Sequence, residues 1–121
     1  MGTRFACAVG VLSVLLCSLS WAEMGKSNMP LKATSGSKAE GHITEGVEHY
    51  DKGHWDVAKK HFMEGAKADP QSAEAHYDLA LVLDKMGDHG GATEHFKQAQ
   101  ELGMKNPDIQ NSEILKKHLK M

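Results

Sequence analysis

The chain contains one 34-residue unit written twice in succession, from Ala39 to Asn106. A shift of 34 places brings Ala39 onto Ala73, Glu40 onto Glu74, His42 onto His76 and Gly53 onto Gly87. It also brings Ala58 onto Ala92, His61 onto His95 and Phe62 onto Phe96. Seven positions are thus identical, against about two expected from ordinary residue frequencies. Where the residue changes, its size class often survives: Gly46 becomes Ala80, Val47 becomes Leu81 and Gly65 becomes Ala99. A period of this length belongs to helical arrays, in which each unit buries its apolar face only by stacking on the next. The expected fold class is therefore all-α.

Apolar spacing within each unit predicts two helices. Ile43, Gly46, Val47 and Tyr50 recur at i, i+3, i+4 and i+7. Lys52-Gly53-His54 breaks that helix, with Gly53 suited to a left-handed C-cap. Trp55, Ala58, Phe62, Gly65 and Ala66 mark the second helix, which Asp69-Pro70 closes because the residue before proline is pushed out of the helical region. Ser72 is placed to N-cap a third helix. One of its faces carries His76, Leu79, Ala80 and Leu83, and a neighbouring one Tyr77 and Leu81. Gly87-Asp88 repeats the earlier turn, and Ala92, His95, Phe96, Ala99 and Leu102 define a fourth helix that stops at Gly103. Both second helices share Ala-x-x-His-Phe-x-x-small, a packing pattern in which the small residue lets backbones approach and phenylalanine fills the gap. A last helix is expected over 107–121, with Asn106 as N-cap and Pro107 at its first position. Its apolar residues Ile109, Ile114, Leu115 and Leu119 and its basic end fit a terminal cap on the stack.

These residues resemble the tetratricopeptide repeat. The family's small, aromatic, glycine and proline positions look filled by Gly46, Tyr50 (one place late), Gly53, Trp55, Ala58, Phe62, Gly65 and Pro70 in unit 39–72. In unit 73–106 they look filled by Ala80, Leu83, Gly87, His89, Ala92, Phe96 and Ala99. Met104 stands where proline is usual, and Glu45 where the family has leucine. The resemblance implies an α-solenoid of two repeats whose first helices line a concave groove for a peptide or partner helix. The positions matching that groove are Glu40, Ile43, Val47 and Tyr50, then Glu74, Tyr77, Leu81 and Asp84. The implied surface is apolar and aromatic at its centre and acidic at its edges. It lacks the lysine and asparagine set with which some members clamp a C-terminal carboxylate. Packing between helices is the competing role for Ile43, Val47 and Leu81.

Residues 1–22 differ from the rest. Arg4, the apolar run Phe5 to Leu16, and Ser20-Trp21-Ala22 have the layout of a secretory signal cut after Ala22. The run is short for a membrane span, which takes about 20 apolar residues. The alternative is an uncleaved N-terminal anchor. Cleavage removes both cysteines, Cys7 and Cys17, so the exported chain has no disulfide to form and depends on helix packing. Export points to the periplasm in a bacterium, or to secretion. Residues 23–38, rich in Gly, Ser, Lys and Thr around Pro30, are expected to be a flexible linker.

The net charge of −2 gives no reason to expect nucleic acid or an anionic membrane as partner. No Cys-x-x-Cys-His is present for haem attachment, and Gly90-Gly91 has no phosphate-cradling context. No serine, threonine or exported thiol sits in the setting of a nucleophile. The chain is therefore expected to be no enzyme and to need no cofactor. Eight histidines and seven methionines raise a metal-binding alternative. The gaps between successive histidines include no i, i+4 pair, so metal ligation requires residues from different helices, such as His42 with His76. The expected function is that of an exported adaptor or scaffold for a protein or peptide partner. The alternatives are a His/Met-rich periplasmic metal-binding protein and a subunit that completes the helical stack of a larger envelope complex; self-association is a further partner expectation.

Overall fold

A computed structural model describes residues 29–120; the expected signal segment, the start of the expected linker and Met121 lie outside the described residues. Within them the chain is all-helical, without a strand. The helices are α1 (Glu40–Asp51), α2 (Trp55–Ala68), α3 (Ala73–Lys85), α4 (His89–Leu102), α5 (Pro107–Gln110) and α6 (Glu113–Leu119).

Local chemistry accounts for most boundaries. Gly53 and Gly87 take φ of +75° and +85° after α1 and α3, the left-handed conformation that a Cβ disfavours. Ser72 starts α3 by accepting from the Ala75 N–H at 3.2 Å. Asp88 does the same for α4 through Gly91 N–H at 2.9 Å, and Asn106 caps α5 with Pro107 just inside it.

Each long helix packs on the next in the chain, and α1 also touches α3. The central element is α3, where every residue from Ala75 to Leu83 is buried. Phe62 and Phe96 are fully buried on the second helix of each pair. A Cβ added at Gly46 would come within 2.5 Å of the Phe62 ring, so α1 and α2 approach only because that side chain is absent. At Gly65 an added Cβ would meet His42 Cβ and Ile43 Cγ1 at 3.5 Å, which is ordinary van der Waals contact.

Two expectations are corrected. Residues 107–121 do not form one helix: the chain turns at Asn111, and Ser112 caps a separate α6 by accepting from Leu115 N–H at 3.3 Å. The described part of the expected linker, 29–38, is docked. Leu31 packs against the main core, and its N–H donates to Asp78 Oδ1 at 2.6 Å. Ser37 Oγ donates to Asp69 Oδ2 at 2.8 Å. Leu31 supplies the apolar anchor that a flexible tether lacks.

Candidate functional site

The eight expected groove residues fall into three environments. Ile43, Tyr50, Tyr77 and Leu81 are buried. Val47 is partly buried between the two apolar clusters. Glu40, Glu74 and Asp84 keep contact with solvent.

Segments flanking the two units cover the expected strip. Tyr77 shares a 2.7 Å hydrogen bond with Ser112 Oγ between its hydroxyl and that of the α6 cap. Its ring meets Phe96 edge-on, with centroids 5.6 Å apart. Leu81 lies in the same core, against which Leu31, Ile114 and Leu119 pack. Tyr77 and Leu81 are therefore core side chains, and they do not form an open apolar strip. The acidic margin is also engaged. Glu74 accepts from Asn106 Nδ2 and Thr34 Oγ1, each at 3.3 Å. Glu40 accepts from Gly36 N–H at 2.9 Å.

A cleft of about 340 Å³ remains between α1, α3 and α6, lined by Tyr50, Asp84, Lys85, Glu113, Ile114, Lys117 and His118. Only Tyr50 and Asp84 were legible as groove positions. The α6 residues were missed because one continuous helix was expected, although Ser112 before Glu113 was the readable cap signal. Tyr50 sits edge-on to Trp55 at 5.0 Å, and Lys85 Nζ lies 6.0 Å from the Trp55 ring centroid. Burial, then the nearby Asp78 and Asp84 carboxylates, push the Tyr50 hydroxyl up to about 12, so it stays a neutral donor at neutral pH. The cleft thus offers an aromatic floor with two carboxylates and two ammonium groups at its rim. A second, more apolar cleft of about 360 Å³ lies where Met63, Ala66, Leu79 and Leu83 meet.

The histidines are gathered in pairs that the intervals along the chain did not suggest. His42 faces Glu64, with Nδ1 3.4 Å from Oε2; the anticipated pairing with His76 does not occur. His76 Nε2 lies 3.1 Å from the Pro70 carbonyl and its Nδ1 3.2 Å from His95 Nδ1. That arrangement fits His76 donating to the carbonyl and accepting from His95. Burial, then the neighbouring His76, lower the His95 pKa. Asp84 Oδ1 receives both His89 Nδ1 at 2.8 Å and His118 Nε2 at 2.9 Å, tying α6 to the α3–α4 turn.

Among the described residues no helix is long and apolar enough to cross a membrane. No protein-family model matches the chain, and no match was found among curated proteins.

Proposed function

We propose that the chain is an exported, non-catalytic adaptor built from two tetratricopeptide units, 39–72 and 73–106, which takes a segment of a partner protein in the cleft between α1, α3 and α6. The cleft carries this reading. It lies on the first helices of the two units, the side on which the resemblance places a groove, and Tyr50 and Asp84 belong to both. Matching features 34 places apart support the repeats: the positive-φ glycines 53 and 87 and the buried phenylalanines 62 and 96. The layout of residues 1–22 supports export.

α6 supplies Glu113, Ile114, Lys117 and His118 to the wall of the cleft. Lys85 and Lys117 on one side of the charge balance, and Asp84 and Glu113 on the other, suit a segment of mixed charge. The exposed Lys85 and Lys117 contribute to recognition rather than to the core.

The test places a photoreactive side chain at Lys117, or at Lys60 outside the cleft, in cells that make the protein. Crosslinks to a partner should form from position 117 and not from 60. The double variant Lys85→Glu, Lys117→Glu should keep the wild-type melting temperature and lose roughly tenfold or more in partner affinity, since two charges are reversed at the rim. Crosslinking that is equal at both positions, with capture unchanged in the double variant, overturns the cleft assignment.

A further inference from the structure

Two copies of one short motif face each other across the first pair of helices. His42-Ile43-Thr44-Glu45 lies on α1 and His61-Phe62-Met63-Glu64 on α2. Residues three apart lie on one side of a helix. A three-residue turn reverses the chain between α1 and α2, so each histidine meets the other helix's glutamate. His42 Nδ1 is 3.4 Å from Glu64 Oε2, and His61 Nδ1 is 3.0 Å from Glu45 Oε2. Donor atoms of His42, His61 and Glu64 all lie within 4.8 Å of one another.

We infer that His42, Glu45, His61 and Glu64 form a binding site for one divalent transition-metal ion, of which Zn²⁺ is the best fit. Two neutral imidazoles and two carboxylates make a four-donor set whose charge cancels that of the ion, and mixed nitrogen and oxygen ligation suits zinc. With bonds of about 2.0–2.2 Å, adjacent donors of a tetrahedral ion stand roughly 3.3–3.6 Å apart. The observed 3.0 and 3.4 Å separations are close to that spacing for these two pairs, and Glu45, which lies outside the group of three donors gathered within 4.8 Å, closes on the ion by rotation of its exposed side chain.

Glu45 is near enough to His61 for an ion pair, yet the buried His61 Nδ1 makes no hydrogen bond among the described residues. The helix approach also serves the site: Gly65, beside Glu64, leaves space against His42 Cβ that a larger side chain would take. The His49 ring stacks on His61, with centroids 5.5 Å apart and planes 4° apart, and limits its rotation.

The other two histidine groups are different. In the second unit, His76 and His95 occupy the places of His42 and His61, but Leu79 and Gln98 replace the two glutamates. At Asp84, one oxygen already serves both His89 and His118 at hydrogen-bond distance, with Lys117 and Lys120 lining the same pocket. The second unit thus has no carboxylate at these places, and in the Asp84 group, whose donors also lie within 4.8 Å of one another, the shared oxygen is already engaged by both imidazoles.

The test is calorimetric titration of the metal-stripped full chain with Zn²⁺, paired with Co²⁺ absorption as a report of coordination geometry. One Zn²⁺ per chain should bind, Co²⁺ should give the intense visible bands of a four-coordinate site, and the melting temperature should rise. At a hundredfold excess over Kd the rise should be roughly 10 °C or more. Glu45→Gln and Glu64→Gln keep side-chain shape and should each weaken Zn²⁺ by about tenfold or more, and His42→Ala with His61→Ala should abolish the Co²⁺ bands. His89→Ala should leave both readouts unchanged. Absence of wild-type Zn²⁺ binding overturns the inference. So does binding that survives in both glutamine variants, or that is lost in His89→Ala while circular dichroism shows an intact helical fold.

Discussion

Asp78 is the residue whose chemistry departs most from expectation. It is fully buried on α3, and one carboxylate oxygen accepts from Leu31 N–H while the other has no hydrogen-bond partner among the described residues. Burial raises its pKa well above the usual carboxylate value; the Leu31 hydrogen bond opposes that rise, and Glu74 adds to it. The folded state therefore holds this proton more tightly than the unfolded chain. Its stabilising contribution is complete below about pH 3.8 and is lost as pH rises through the folded pKa, at about 1.4 kcal/mol per pH unit across that window. Asp78→Asn should remove that slope, raising the urea midpoint relative to wild type at pH 8 and closing the difference near pH 3.5. An unchanged slope would remove Asp78 as its origin. His95 acts in the opposite sense. Its pKa is lowered, so its contribution is present above about pH 6.5 and lost as pH falls through the folded value.

The meeting of helices is governed by Gly46 and the two phenylalanines. Glycine inside a helix ordinarily costs roughly 0.5–1 kcal/mol relative to alanine. At position 46 the sign reverses, because a Cβ would stand 2.5 Å from the buried Phe62 ring. Gly46→Ala should therefore lower stability by about 1–3 kcal/mol, the usual effect of overpacking. Phe62→Ala and Phe96→Ala should each cost about 3–5 kcal/mol, read from denaturant midpoints, since both rings are fully enclosed. The alternation of small and aromatic positions was legible from sequence because it follows the helical period. The break between α5 and α6 was harder to see, because apolar residues continue through it and only the Ser112 cap marks the restart.

For the molecule as a whole, the consequential contacts are those made by the segments outside the two units. Leu31 and Thr34 reach α3 at Asp78 and Glu74, Ser37 reaches Asp69 after α2, and the α5–α6 segment packs on α4 while its Ser112 bonds Tyr77 of α3. Tyr77→Ala with Leu81→Ala should therefore destabilise the whole protein. Each truncation costs about 2–5 kcal/mol in a core, and a domain's entire stability is only about 5–15 kcal/mol. The double variant should lose its cooperative melt and much of its helical circular dichroism. A wild-type melting curve would show that the contacts over these residues contribute little.

Periodicity, glycine placement and capping residues determine the four long helices from sequence alone, because each depends on neighbours within a few places along the chain. The 34-residue recurrence likewise identifies the equivalent positions. Which side of a first helix remains open is a different matter. It depends on where distant segments dock, and no local spacing encodes that Leu31 reaches Asp78 or Ser112 reaches Tyr77. The facing His-x-x-Glu motifs were present in the sequence, but their meeting is decided in three dimensions. A short turn reverses α2 against α1, and Gly46 lets the two helices approach, so that each imidazole faces the other helix's carboxylate.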